Sequence, residues 1–434
     1  MAHRRRRIAV IGSGISGMSA AWLLSQAHEV TVYERGGHVG GHSRTIRTAS
    51  GAAVDTGFIV YNEQTYPNLV ALFRHLGVET QASDMSFAVS LDGGRREYSA
   101  ADWRGMIAQP SNLVRPRFWS MLIDLLRFYR DAPRVAAGLE HDLLALDAFL
   151  KREGYSDGFV QDHLLPMAAA IWSVPAAQAG SYPAAAFIRF CENHGLLKLR
   201  DRPVWRTVTG GSAAYVAKLT APYAERIRLG CGATRIVRAA DHVVVHDSDG
   251  GSERYDDVVI ATHAPQALAL LEEPTDAERA LLGPIRTAPN RVVMHRDPRL
   301  MPRRRAAWAS WNYLSRTDGS LCVTYWMDRL QALPGPEQHF VTLNPPVEPA
   351  EILNEEWFSH PQFDAAAMRA QRMLWTLQGR RNTWFCGAWF GSGFHEDGLQ
   401  SGLAVAEQLG GVRRPWAMPA AASRIAMAPL SEAA

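Results

Sequence analysis

Cysteine is scarce in this 434-residue chain: the four present, Cys191, Cys231, Cys322 and Cys386, lie far apart and form no CxxC pair. That spacing excludes a disulfide frame and a zinc site, and no metal is expected. Lysine is scarcer still, with Lys151, Lys198 and Lys218 alone, so nearly all basic charge is arginine. No run of about 18 apolar residues exists, which argues against a transmembrane helix. The arginines Arg4 to Arg7 lead straight into an apolar run without the apolar stretch of a secretory signal. The expectation is a cytoplasmic protein with reduced thiols, soluble or at most seated on the inner face of the membrane. A net charge of +3 is too small to argue for a nucleic-acid partner.

What is present is a core: 47% of the residues are hydrophobic, enough for two lobes. Ile8 to Ile11 is an apolar run ending in glycines, Ser16 to Gln26 has helical character, and Val30 to Tyr33 is a second apolar run. That order is a βαβ unit. Between the first strand and the helix stands Gly12-Ser13-Gly14-Ile15-Ser16-Gly17. Gly12 permits the turn, Gly14 admits a pyrophosphate to the backbone, and Gly17 lets helix and strand approach, with the phosphate at the positive end of the helix dipole. Glu34, twenty residues after Gly14, is placed to accept hydrogen bonds from ribose hydroxyls. The pattern predicts dinucleotide binding without separating one dinucleotide from another.

Residues from about 100 to 205 read as mostly helical, and strands follow at Arg235 to Val237, His242 to His246 and Asp257 to Ala261. A strand-rich block runs from Arg291 to about Leu343. Thr383 to Phe390 reads as a last buried strand, with a helix over Leu399 to Leu409 and a loose tail beyond Gly411.

Three further stretches carry a family likeness: Gly36-Gly37-His38-Val39-Gly40-Gly41-His42-Ser43-Arg44-Thr45 with Val54-Asp55-Thr56-Gly57; Val258 to Thr262; and Phe385 to Trp389 through Gly398-Leu399-Gln400-Ser401-Gly402. Over nearly its whole length the chain resembles the flavin-containing amine oxidase and phytoene desaturase superfamily. The resemblance implies FAD as cofactor and an α/β, two-lobe flavoprotein. Its doubly wound, Rossmann-like FAD-binding domain would comprise residues 1–85, 206–290 and 376–410. An inserted α+β substrate domain would comprise 86–205 and 291–375, with 411–434 as a flexible tail. It places Gly12, Gly14, Ile15, Ser16, Gly17, Glu34, Arg35, Gly40, Gly41, His42, Ser43, Arg44, Thr56, Gly57, Phe58 and Ile59 at the cofactor. Ala233 falls against the adenine, Thr262 follows the middle strand, and Gly387, His395, Gly398 and Leu399 belong to the closing motif. Superfamily members carry an acid after the Gly387 equivalent; Ala388 stands there instead, and Asp397 or Glu396 is the expected substitute.

Within the superfamily, Gly41 to Thr45, Phe58 to Asn62, Asn193 to Leu197 and Phe394 to Leu399 resemble bacterial oxidoreductases linked to fatty-acid modification. That resemblance implies dehydrogenation of a methyl-branched acyl chain, a lipid or other apolar substrate, and a lipid methyltransferase as partner. The amine oxidases place a lysine near the flavin, and here no lysine follows Lys218. Candidates for moving the proton are His42, His194, His395 and Glu396. An amine oxidase, a carotenoid-type desaturase or isomerase, and a non-catalytic FAD-binding partner of a methyltransferase remain alternatives. Arg115 to Arg134, with Phe118, Trp119, Leu122, Ile123, Leu126 and Phe128 among its arginines, reads either as ordinary packing or as a peripheral membrane contact.

Overall fold

The structure is a computed structural model that describes residues 4–100, 102–138, 144–172, 179–193, 195–198, 203–318, 320–419 and 422–427. Five parallel strands, β1 (Arg7–Ile11), β2 (Glu29–Tyr33), β3 (Ile227–Arg228), β4 (Asp257–Ile260) and β5 (Thr383–Phe385), form one sheet in the order β3-β2-β1-β4-β5. Three segments far apart in sequence thus build a single sheet. Apolar runs such as Ile8 to Ile11 are buried because helices cover a parallel sheet on its faces. The helices include α1 (Ile15–Leu24), α2 (Pro116–Gly138) and α3 (His395–Gly410).

The crossing of α1 and α3 depends on small residues. A methyl on Gly402 would stand 2.1 Å from the Ser16 carbonyl oxygen, so only hydrogen lets the backbones meet. Gly17 does the same against the first turn, where a methyl would stand 1.9 Å from the Gly12 oxygen.

A seven-stranded sheet stands beside this unit. Its order is Ile352–Gln362, Arg286–His295, Phe340–Leu343, Leu321–Trp326, Trp311–Ser315, Phe87–Leu91, Arg96–Ser99. All neighbours are antiparallel except Trp311–Ser315 with Phe87–Leu91. A meander of Ala233–Arg238, Val243–Asp247 and Ser252–Tyr255 leads into β4. On α2, Phe118, Met121, Phe128 and Ala132 are buried at helical spacing, with Phe128 ringed by Phe159 and Phe187.

Three sequence expectations need correction. The last strand stops at Phe385, because at Gly387 the chain folds back so closely that a methyl would meet the Trp389 indole at 2.1 Å. The final helix starts at His395, not Leu399. Its first turn carries Glu396 and Asp397 at the positive end of the dipole, and Asp397 accepts the amide hydrogens of Ser392 and Phe394. The tail beyond Gly411 is packed over its described part. Arg414 pairs with Glu407, Trp416 stacks on Trp22, and Arg424 pairs with the buried Asp397 at 2.8 Å.

Candidate active site

A cavity of about 920 Å³ runs from the β1–α1 turn to the seven-stranded sheet. At its first end, Gly12 adopts φ +99°, a left-handed conformation that favours glycine, and Gly14 has open space where a side chain would stand. Gly41 lies against Gly14, its missing Cβ only 3.0 Å from the Gly14 Cα, so the two glycine loops interlock. Glu34 accepts hydrogen bonds from the Ser13 and Gly36 amides at 2.9 and 2.7 Å and from the Ser13 hydroxyl. Its carboxylate therefore fixes the loop while lining the cavity. This is a cradle for a pyrophosphate and ribose, and the residues fit FAD there.

Of the residues expected at the cofactor, Gly12, Gly14, Ile15, Ser16, Glu34, Arg35, Gly40, Gly41, His42, Gly57, Phe58, Ile59, Ala233, Thr262, Gly387 and His395 line the cavity. Gly17, Ser43, Arg44, Thr56, Asp397, Gly398 and Leu399 lie outside its wall. Arg44 and Thr56 both bond Glu356, at 2.6 and 3.0 Å, so the arginine is held by a carboxylate of the other sheet. Ser43 bonds the Tyr215 hydroxyl. Leu399 is fully buried in the helix packing and offers no face to the cavity.

The two acids after His395 are likewise committed elsewhere. Glu396 is fully buried and accepts from the Asn68 amide, the Asn68 side chain and the Leu69 amide at 2.8 to 2.9 Å. It caps the helix Pro67–Leu76. Its expected place among the proton-moving groups is corrected accordingly: burial and three donors tie it to that helix. Asp397 is held by Arg424 and two amides and does not line the cavity. His194 lies outside the described residues.

Sequence reasoning singled out His42 and His395 but missed His263 and His360, which cluster with His42. His42 stacks on Phe358 at 4.8 Å, with His360 at 5.3 Å and His263 at 6.0 Å between ring centres. His395 stacks on Phe58 at 3.8 Å and bonds the Tyr215 hydroxyl at 2.6 Å. Burial pushes all four imidazoles down, His360 to about 4 and His395 to about 3, and His42 is lowered further by its neighbouring histidines. All four are neutral at physiological pH. The buried Nε2 of His42 has no hydrogen-bond partner among the described residues. One signal was in the sequence: Phe358 and His360 alternate on the strand Ile352–Gln362, which puts both on one face.

Beyond the histidines the wall becomes apolar. Met85, Phe87, Met167, Ala170, Ile171, Phe190, Trp311, Tyr325, Trp357 and Phe394 contribute to it. Trp311 and Tyr325 are cross-strand partners with rings edge to face at 4.8 Å. The tryptophans Trp308 and Trp326 pack instead with Phe340. Among the described residues that line the cavity, the charged ones are Glu34 and Arg35, both at the end of β2. Cys386 is buried, with its thiol pushed up by burial, and does not line the cavity.

Comparison with known proteins agrees with this geometry. A solved putrescine oxidase variant superposes with a TM-score of 0.68 at 13% identity, covering 93% of this chain and 98% of the other. The CLA-producing fatty acid isomerase from P. acnes does so with a TM-score of 0.62 at 19% identity, over 93% and 98% of the two chains. Among curated proteins, coproporphyrinogen III oxidase of Propionibacterium freudenreichii subsp. freudenreichii is 29% identical over 180 residues, 38% of this chain. The chain matches 31% of that relative's own length. The family model described as flavin containing amine oxidoreductase matches residues 15–410, nearly the whole of the described chain, and the protein belongs to that family.

Proposed function

We propose that this FAD-dependent oxidoreductase dehydrogenates an apolar substrate, an acyl chain of a lipid, and that a methyl-branched unsaturated chain is the preferred form. The observation that carries the reading is the wall: past the histidine cluster no charged side chain among the described residues lines the cavity. An ammonium group brought there would lose its hydration and meet no carboxylate among the described lining residues, at a cost of several kcal/mol. An acyl chain gains roughly 0.8 kcal/mol for each CH₂ removed from water. Bound FAD supplies the hydride acceptor. The protein's part is to hold the chain against that acceptor, exclude water, and take the proton released as the second C–H bond breaks.

His42 is the best-placed proton acceptor, being neutral, buried, and unpartnered at Nε2. His395 is neutral as well, but its Nε2 is shared with Tyr215, which suits a positioning role. The likeness to a fatty acid isomerase supports a fold able to house such a chain.

The alternative is amine oxidation, favoured by the rings of Trp311, Tyr325 and Trp357, whose faces can attract a cation. One experiment separates the two. Purified holoenzyme, kept without oxygen, is mixed with bacterial phospholipids that include methyl-branched chains, or with a panel of primary and polyamines, and the flavin absorbance is followed. Bleaching by the lipids is expected. Bleaching by amines alone would overturn the proposal. Ile171→Asp, which sets a carboxylate in the apolar wall, is expected to keep FAD and lose the response to lipid.

A further inference from the structure

Helix α2 carries two apolar stripes. The inner one, Phe118, Met121, Phe128 and Ala132, is buried, and burial satisfies it. The outer one is Trp119, Ile123 and Leu126, spaced i, i+4, i+7 and therefore on one face. These side chains are 47%, 64% and 53% exposed. Leading into the helix, Val114 is 82% exposed and Leu113 nearly half exposed, and Trp103 and Ile107 add a second exposed i, i+4 pair. Seven of the fifteen large apolar side chains exposed among the described residues fall between positions 103 and 126. Single exposed apolar residues are ordinary, whereas such a concentration marks a contact surface.

The charge around it selects the partner. Residues 102–135 hold six arginines against three aspartates. The acids are occupied: Asp124 pairs with Arg127, Asp131 with Arg130, and Asp102 caps the turn at Gly105. Arg104 and Arg115 form no ion pair among the described residues; Arg104 lies against the Trp103 ring and Arg115 bonds only the Arg95 carbonyl and Asn112. Tryptophan and leucine beside unpaired arginine is the composition of a face that enters the headgroup region of an anionic bilayer.

Phe118 and Met121, on the inner side of the same helix, share one apolar cluster with Ala170, Ile59 and Tyr325, and those three line the cavity. One apolar cluster therefore connects the inner side of the helix with the wall of the chamber. We infer that the face formed by Trp103, Ile107, Val114, Trp119, Ile123 and Leu126 docks the enzyme on an anionic lipid surface, the source of the acyl substrate; that the surface supplies substrate rests on the function proposed above. A lipid chain gains little on passing from bilayer to chamber, since both are apolar, so a protein held at the surface spares it passage through water.

The test is flotation of the holoenzyme with vesicles of phosphatidylcholine alone, or of phosphatidylcholine mixed with phosphatidylglycerol. Co-flotation with the mixed vesicles, weakened by salt, is expected. The double variant Trp119→Glu/Ile123→Glu is expected to bind them at least on the order of tenfold more weakly while keeping its FAD and its melting temperature. Binding by that variant equal to wild type would overturn the inference. So would a wild-type dimer in solution that the double variant abolishes without any vesicle binding, since a second copy would then cover the face. Anaerobic bleaching by detergent-dispersed lipid keeps the two proposals apart. Flotation without bleaching leaves docking standing and removes the substrate; bleaching without flotation does the reverse.

Discussion

The two ends of the cavity are built on different principles. At the glycine loops the wall is backbone: Gly12, Gly14, Gly40 and Gly41 present peptide groups, and one acid, Glu34, holds the loop in shape. At the other end the wall is side chain, with rings and methyl groups drawn from strands of the seven-stranded sheet and from helices around Met167 and Phe190. The first end is suited to a polyanion, which many relatives can share. The second carries no charge among its described residues and fits whatever its shape admits. Chemistry common to a family can therefore be read from the first end, and substrate only from the second.

Acid should break this contrast with the largest effect, because the neutral histidines sit between the two ends. His360 is held at about 4 and His395 at about 3, against an ordinary value of 6.5, with His42 and His263 also lowered. The unfolded chain therefore binds more protons than the folded one below pH 6.5, and stability falls as pH drops from 6.5 toward 4. Each such ring contributes about 1.4 kcal/mol per pH unit within its window. Asp55, raised to about 6 by burial, has the opposite sign between 3.8 and 6, as have Asp257, Glu396 and Asp397, which burial also raises; His163 and His295, both lowered to about 4 by burial, add to the four rings. Urea midpoints measured from pH 7 to 5 should decline steadily. A flat profile would mean that the rings are already hydrated and charged, and the apolar end would not be dry.

Gly17→Ala should sharpen the contrast from the other side. Its methyl would stand 1.9 Å from the Gly12 oxygen, and α1 must move away from the cradle to admit it. Such overpacking typically costs about 1–3 kcal/mol. FAD retention on gel filtration should fall while the apolar wall, made by other elements, stays intact. Full FAD occupancy would show that the cradle tolerates a wider turn than its glycines suggest.

The first end is legible in the sequence because its requirements are local. A glycine in a left-handed conformation, a glycine under a helix and an acid after a strand stand within 23 residues of one another, from Gly12 to Glu34. The second end is not legible in that way. Trp311 and Tyr325 meet Met167 and Phe190 only through the tertiary fold, and composition cannot say which tryptophans face the cavity and which, like Trp308, pack behind it. Glu396 and Asp397 mislead for a related reason. Acids at the start of a helix near a cofactor motif suggest a ligand, yet Asn68 and Arg424, 328 residues upstream of Glu396 and 27 beyond Asp397, take both carboxylates. The tail reads as loose because its anchors, Trp416 on Trp22 and Arg424 on Asp397, are isolated residues in a segment of weak pattern.

Tyr215→Phe probes the seam between the two ends and should have the smallest effect. The tyrosine is fully buried, does not line the cavity, and reaches it through the hydrogen bond to His395 Nε2. Removing the hydroxyl should cost about 1 kcal/mol, since Ser43 stands 3.4 Å from the same nitrogen and can take over part of the contact. FAD affinity should hold, because the glycine cradle is untouched. The rate of flavin bleaching by substrate should fall severalfold if the Tyr215 bond sets the angle of the His395 ring against Phe58. An unchanged rate together with the expected loss of stability would assign His395 to packing alone. Proton transfer would then rest with His42, which no described residue anchors at Nε2 and which is therefore free to meet the substrate.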